Sequence, residues 1–341
     1  MKVFPLFHKL AQKSMKKRVI LLLAVGLTML GWWSGAGWAQ AKLPRIGILT
    51  YAGTTDAAAK QWLEPFWRKL AELGWIEGRQ VLFEVRRAGG DSSLVAEAAR
   101  ELVRLKVDVI FADSAPSVRA AHAASTTIPI VGADFTNDPV AEGYVENYGR
   151  PGKNITGVFL DAPDFAGKWL ELLQGIVPNL SRAVVLWDPS PGSAHLQSVK
   201  DIARSLRLQL QVIEVREPVD IDRAFSLLRG RPQALIVLPS PTLFLQGERI
   251  AKLALEHRLP ATSMSLPFAE AGGALAYGPE GDAAYGACAV LVAKILAGTK
   301  PGDLPVERPT KIALVVNLKS AKALGLSVPQ SILLRADKVI R

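Results

Sequence analysis

From Pro44 onward the chain alternates short apolar runs with longer amphipathic ones. "PRIGILTY" (44–51), bounded by Pro44 and Gly53, has the length and apolarity of a buried strand. In the segment after it, Trp62, Phe66, Leu70 and Leu73 recur at helical spacing and Gly74 ends the pattern; Pro65 implies a kink or a late start. "QVLFEVRR" (80–87) reads as the next strand. "DSSLVAEAARELVRLK" (91–106) reads as a helix capped by Asp91 or Ser92, with apolar residues at 94, 95, 98, 99, 102 and 103. "VDVIFAD", "SVRAAHAAS" and "IPIVGAD" continue as strand, short helix and strand. Apolar strands alternating with helices predict a parallel sheet covered on both faces.

The pattern restarts at Ile155. Strands are expected in "ITGVFL", "SRAVVLWD", "LQLQVIEV", "QALIVLPS", "LPATSM", "GALAYG" and "KIALVVNL". Helices are expected in "AGKWLELLQGIV", "SAHLQSVKDIARSL", "IDRAFSLLRG", "TLFLQGERIAKLALEHR", "DAAYGACAVLVAKILAG" and "KSAKALGL". The fold class is therefore α/β, with two Rossmann-like, doubly wound lobes joined by hinge crossings. Residues 42–158 plus about 278–308 are assigned to lobe one, and 159–277 plus about 309–341 to lobe two. Between the two series lies "DPVAEGYVENYGRPGKNITG" (138–157). Its glycines Gly143, Gly149, Gly152 and Gly157 suggest the backbone freedom of a hinge.

The first forty residues break this pattern and change the charge argument. Six Lys/Arg and no acid precede the apolar run Val19–Leu30, and a Gly/Ala/Ser-rich stretch follows. That order is the one expected of a secretory signal peptide, with Ala39-Gln40-Ala41 as the preferred cleavage site, cleavage after Ala39 or an uncleaved anchor as the alternatives, and Met15 as an alternative start. The formal charge of +10 loses those six cations on cleavage, leaving 35 basic against 31 acidic residues. So mild and dispersed a charge argues against a nucleic-acid partner. Cys288 is the only cysteine, so no internal disulfide and no N-terminal lipid attachment are expected, and its apolar helical surroundings suggest a core residue. The expected location is the periplasm.

Candidate chemistry collects where strands end, which is where open α/β sheets bind ligands. These ends, "TYAGTT", "ADSAPS", "ADFTND", "FLDAPD", "WDPSPGS" and "LPSPTLF", combine short hydroxyls, acids and aromatic rings. The candidates read there are Tyr51, Thr54, Phe135 and Asp161, with Tyr277 ending a later strand. A helix N-terminus suits a ligand carboxylate, and an ammonium needs an acid. No nucleophile elbow, P-loop or HExxH zinc motif is present, and His122, His195 and His257 are scattered, so neither an enzyme nor a cofactor is expected.

"TIPIVGADFTNDPVAEGYV", "RPGKNITGV", "EAGGALAYGP" and "LPVERPTKIALVVNLKSAKALGL" occur in this order, and with their neighbours they span Pro44 to Ile340. Together they resemble the tryptophan/tyrosine-type substrate-binding proteins of ABC transporters, with a fold of the type I periplasmic binding protein kind. The resemblance implies a small-molecule ligand, amino acids among the candidates, handed as a monomer to an inner-membrane permease with a cytoplasmic ATPase; ligand sensing for a receptor is the alternative. It implies carboxylate binding at Ser114-Ala115-Pro116-Ser117, and it matches Thr136 and Asp138 to a T-x-D-P element. Asp138 also suits an N-cap before Pro139. Ser240 and Thr242 stand in a second-lobe loop that often holds an acid and an amide in tryptophan binders.

Overall fold

The computed structural model describes residues 42–51, 56–160 and 163–341. The proposed signal segment, Thr54 and Asp161 lie outside them. Pro44–Arg341 forms one unit built on two sheets.

The first sheet holds β1 (Arg45–Thr50), β2 (Leu82–Arg87), β3 (Val109–Ala112), β4 (Ile130–Asp134) and β5 (Ile155–Phe159), in the order β2-β1-β3-β4-β5. All four pairings are parallel. The intervening helices are α1 (Asp56–Glu72), α2 (Ser92–Arg104) and α3 (Ala115–Ala124). Pro65 lies inside α1 rather than at its start. The Asp91 carboxylate caps α2 by accepting from the Ser93 and Leu94 N–H groups. Val95, Ala98, Ala99 and Leu102 form its buried stripe, whereas Leu94 is exposed.

The second sheet has seven strands in the order β12-β11-β10-β9-β8-β6-β7. They are β6 (Arg182–Trp187), β7 (Gln209–Glu214), β8 (Ala234–Val237), β9 (Ala261–Ser263), β10 (Leu275–Pro279), β11 (Ile312–Asn317) and β12 (Lys338–Ile340). The helices among them are α4 (Pro163–Ile176), α5 (Ala194–Ser205), α6 (Asp220–Ser226), α7 (Pro241–Leu245), α8 (Gly247–Glu256), α9 (Leu266–Glu270), α10 (Gly281–Leu296), α11 (Leu318–Ala323) and α12 (Gln330–Leu333).

Three expectations need correction here. The sheet is not wholly parallel, because β10 and β11 pair antiparallel. The chain leaves this lobe after β10, returns through a different crossing and enters β11 from the opposite end. The single helix expected over 242–258 is two, broken at Gln246, which is the C-cap of α7 and the N-cap of α8. The third concerns residues 138–157. This stretch is not a crossing but part of lobe one: Tyr144 and Val145 are 2% exposed within the core of the first sheet. Backbone bonds from Val306 to Tyr148 and from Gly152 to Gly302 pin the loop, and Lys153 Nζ donates to the Gly143 carbonyl at 2.7 Å. The Asn154 amide is occupied by the Ser125 and Ile128 carbonyls, so the N-I-T triplet serves as structure.

The real crossings come later. The chain passes between sheets after Phe159, after Pro279 and between Glu307 and Ile312. They run side by side: Phe159 N donates to Glu307 O, Glu307 N to Gly157 O, and Glu280 N to Lys311 O, at 2.9–3.0 Å. α10 belongs by packing to lobe one, where Cys288, Ala289 and Val292 join the cluster around Phe66 and Phe111. Those two rings stack at 4.1 Å and 9°. Cys288 is wholly buried as expected, and burial pushes its thiol up, so it is an inert core residue. In lobe two Trp169 is wholly buried and donates its indole N–H to the Tyr277 carbonyl at 2.9 Å, which ties α4 to β10.

Candidate functional site

A narrow cleft lies between the carboxyl ends of the two sheets, the place where open α/β sheets bind ligands. Lobe one contributes Thr50 from β1, Asp113 and Ser114 after β3, Ala115 opening α3, and Ala133–Thr136 at the end of β4. Leu63 of α1 and Tyr285 of α10 close that side. Lobe two contributes Pro191 after β6, the Pro239-Ser240-Pro241 corner after β8, and Phe244 and Leu245 of α7.

The polar groups are few and held in place. Ser114 sits at the N-cap of α3 in extended conformation, but its side chain does not cap the helix. Its hydroxyl instead donates to Ser117 Oγ at 3.0 Å, and Ser117 Oγ donates to Asp113 Oδ1 at 3.1 Å. The first-turn N–H groups of Ala115 and Ser117 are thus left without a side-chain cap at the positive end of the helix dipole, and Pro116 has no N–H to satisfy. Asp113 also accepts from Tyr51 N–H at 3.3 Å, and burial pushes its carboxyl up to about 7 against those bonds. On the other side of the cleft floor, Asp134 accepts from Thr136 N–H at 2.8 Å and Asn137 Nδ2 at 2.9 Å; burial raises its carboxyl as well. Ser240 Oγ accepts from Leu243 N–H at 3.0 Å and so caps the short α7.

The apolar walls meet around Phe135. Its ring stands edge-on to Tyr285 at 6.4 Å. It also packs against the cores of both lobes: the Phe66–Phe111 cluster in lobe one, and the Trp169–Leu196–Met264 cluster in lobe two. The lobes touch through polar groups as well. Arg119 Nη1 and Nη2 donate to the carbonyls of Ser190 and Pro191, both at 3.3 Å, and Asn137 Nδ2 donates to Pro191 O at 3.2 Å. His195, 6% exposed and stacked on Trp169, lies beside the Phe135 backbone, and burial pushes its imidazole down to about 4.

Of the twelve residues expected from the sequence, five line the cleft: Ser114, Ala115, Phe135, Thr136 and Ser240. Five others lie elsewhere among the described residues. Tyr51 is buried in the lobe-one core, its hydroxyl facing Ser92. Ser117 is wholly buried one turn behind the cleft, where it braces Asp113. Asp138 caps its own turn by accepting from Val140 N–H, and also receives the Tyr148 hydroxyl. Thr242 is buried inside α7, and Tyr277 packs its ring on Phe165 within lobe two. Thr54 and Asp161 fall outside the described residues. The cleft adds Asp113, Asp134, Pro191, Phe244, Leu63 and Tyr285. The first four stand in strand-end segments and carried that signal. Leu63 and Tyr285 sit on helices whose apolar periodicity reads only as core.

Comparison with known proteins gives a consistent result. Residues 56–340 match the family model of ABC transporter substrate binding proteins. A curated tyrosine-binding protein from Clostridioides difficile (strain R20291) is 26% identical over 292 residues, 84% of this chain and 82% of that protein. A solved ABC domain from Streptococcus pneumonia in complex with L-Trp is 23% identical and superposes with a TM-score of 0.77, covering 88% of this chain and 100% of the other. A ligand-free, open substrate-binding protein from Clostridium difficile is 25% identical and covers 87% of this chain and 99% of its own, with a TM-score of only 0.59. In this structure the bonds from Arg119 and Asn137 join the two lobes in a closed form.

Proposed function

Since the chain belongs to the ABC transporter substrate-binding protein family, we propose that it captures an amino acid with an apolar, aromatic-sized side chain between its lobes. The observation that carries this reading is the cleft's combination of groups. An uncapped helix start at Ser114-Ala115 and the acid Asp113 face a wall of Leu63, Phe135, Phe244, Leu245 and Tyr285, and no Lys, Arg or His is among the described lining residues. A ligand carboxylate is favoured at the first-turn amides of α3, an ammonium at Asp113, and a ring against Phe135 and Phe244. Hydroxyls of Thr136 and Ser240 complete the polar set. A second carboxylate on the ligand would meet the acids Asp113 and Asp134. The tyrosine-binding relative and the tryptophan complex support the same ligand class.

The lobes move as 42–158 with about 278–308 and 159–277 with about 309–341, swinging on the three adjacent crossings. The closed, liganded monomer docks on an inner-membrane ABC permease served by a cytoplasmic ATPase. The chain reaches the periplasm by a signal peptide cleaved after Ala41. Its family is a substrate-binding one, and no catalytic step is proposed.

A thermal-shift screen of the twenty amino acids tests the ligand class. At a hundredfold excess over the dissociation constant, binding stabilises by about 2.7 kcal/mol, or about 5 °C in a protein of this size. L-tyrosine, L-tryptophan or L-phenylalanine is expected to give that shift, with aspartate, glutamate and lysine inactive. A screen in which only charged amino acids raise the melting point, or in which none does, refutes the proposal.

A further inference from the structure

The loop Asp188–Gly192 after β6 supplies Pro191 to the cleft wall, yet its own lobe does little to fix that residue against the opposite side. Lobe one does so. Asn137, 8% exposed, donates from one amide nitrogen both to Asp134 Oδ2 and to the Pro191 carbonyl. Arg119, three residues past Pro116 on α3, reaches across to the carbonyls of Ser190 and Pro191 from the solvent side. The loop is shaped to offer those carbonyls: Asp188 Oδ1 accepts from Ser190 N–H at 2.8 Å, Gly192 N–H bonds back to Pro189 O at 3.0 Å, and Trp187 Nε1 donates to Gly192 O at 3.2 Å. Gly192 has φ +120°, a conformation L side chains rarely adopt.

We propose that Arg119 and Asn137 form an interlobe clasp: they seat Pro191 in the cleft wall and weight the closed form of the protein. The inference deepens the closing-cleft reading but does not depend on which ligand is bound. Asn137 links the clasp to the site itself. The same amide that holds Pro191 also holds Asp134, whose other oxygen orients the Thr136 N–H and hydroxyl in the cleft floor. Opening the lobes would strip Asn137 and Arg119 of three carbonyl contacts at once. A ligand that settles Asp134 and Thr136 therefore steadies the group that grips the other lobe, which supplies the differential affinity for the closed form that closure requires.

Pulsed electron–electron resonance distances test this. Leu94→Cys in lobe one and Val219→Cys in lobe two are 53% and 71% exposed sites for spin labels, and the native Cys288 is buried beyond their reach. Spectra are taken with no amino acid added and again with 1 mM L-tryptophan, on the parent, Arg119→Ala, Arg119→Lys and the Arg119→Ala/Asn137→Ala pair. With no amino acid added, Arg119→Ala is expected to lower the closed-to-open ratio by about fivefold and the pair by about tenfold or more, the order of two and three lost hydrogen bonds at the low end of their net worth. Arg119→Lys, which keeps a cation and a donor, is expected to fall between parent and Arg119→Ala. Arg119 is exposed on a helix, so its alanine variant keeps the fold and can be read even if the pair proves unstable. Distance distributions for Arg119→Ala that overlay the parent without added amino acid overturn the clasp, whatever L-tryptophan does. A failure of L-tryptophan to shift any variant, with the ratio still falling, would rule out L-tryptophan as the ligand and leave the clasp intact.

Discussion

Gly157→Ala is expected to cost more than about 4 kcal/mol of stability, enough to prevent accumulation of the folded protein. Gly157 lies in β5, paired directly with Gly132 of β4. A Cβ at Gly157 would stand 2.0 Å from the Gly132 carbonyl oxygen and 2.7 Å from its nitrogen. Both are backbone atoms fixed by the ladder, and the φ of +153° adds strain for any L side chain. The neighbouring face offers no relief, because a Cβ on Gly132 would itself meet Val118 at 2.8 Å and the Phe159 ring at 2.9 Å. β5 runs straight into the first crossing and bonds to Glu307 of the third, so the damage reaches the hinge as well as the sheet. Urea unfolding followed by circular dichroism checks this. Gly143→Ala in the preceding loop, where no atom lies within 4 Å, is the control and should lose about 1 kcal/mol from its φ of +72°. Equal stability of Gly157→Ala and the parent would mean the β4–β5 register is wrong.

Affinity for the amino-acid ligand is expected to fall about tenfold between pH 8 and pH 6 and about tenfold more by pH 5. Asp113 causes this. Burial pushes its carboxyl up to about 7, against the hydrogen bonds from Tyr51 N–H and Ser117 that favour the charged form. A ligand ammonium requires that carboxylate, so below pH 7 binding must first expel a proton. The ligand's own amino group stays protonated over this range and contributes no slope. Stability runs the other way. The folded carboxyl titrates near 7 and the unfolded one near 3.9, so the folded protein holds the extra proton between those values. The stabilisation is fully present below about pH 4 and is lost as pH rises to about 7, by about 4 kcal/mol at most for this group alone. Asp113→Asn should flatten the affinity profile, weaken binding at pH 8, and remove that part of the stability slope. Calorimetric titrations at pH 5, 6, 7 and 8 decide it: a flat profile for the parent clears Asp113 of contact with an ammonium.

The alternation of apolar strands and amphipathic helices was enough to predict two doubly wound sheets, because each strand carries its own pattern. "VIFA" and "ALIV" are wholly buried, and the α2 stripe repeats every three to four residues. The antiparallel β10–β11 pair was not legible, since strand direction depends on which crossing returns the chain and no local residue encodes that route. The glycines of 138–157 misled for a related reason. Gly143 and Gly152 do adopt positive φ, yet they serve turns inside lobe one, and Gly157 is there for strand contact. Glycine signals a backbone demand without naming its cause. In the site, Ser114, Ala115, Phe135, Thr136 and Ser240 were legible because they follow strands directly. Tyr285 was not: it lies 172 residues from Asp113, whose carbonyl it touches, on a helix that looks like core and is mostly core. Arg119 escaped for the same reason, since its partners are backbone carbonyls 71 and 72 residues away.

Small-angle X-ray scattering, with and without saturating ligand from the amino-acid screen, tests most directly whether two rigid lobes close over one small solute. The expected result is a smaller radius of gyration with the ligand, a bound-state curve matching the closed arrangement described above, and a free-state curve that requires a share of open molecules. Identical curves in the two conditions, with binding verified by calorimetry in the same samples, would contradict the account.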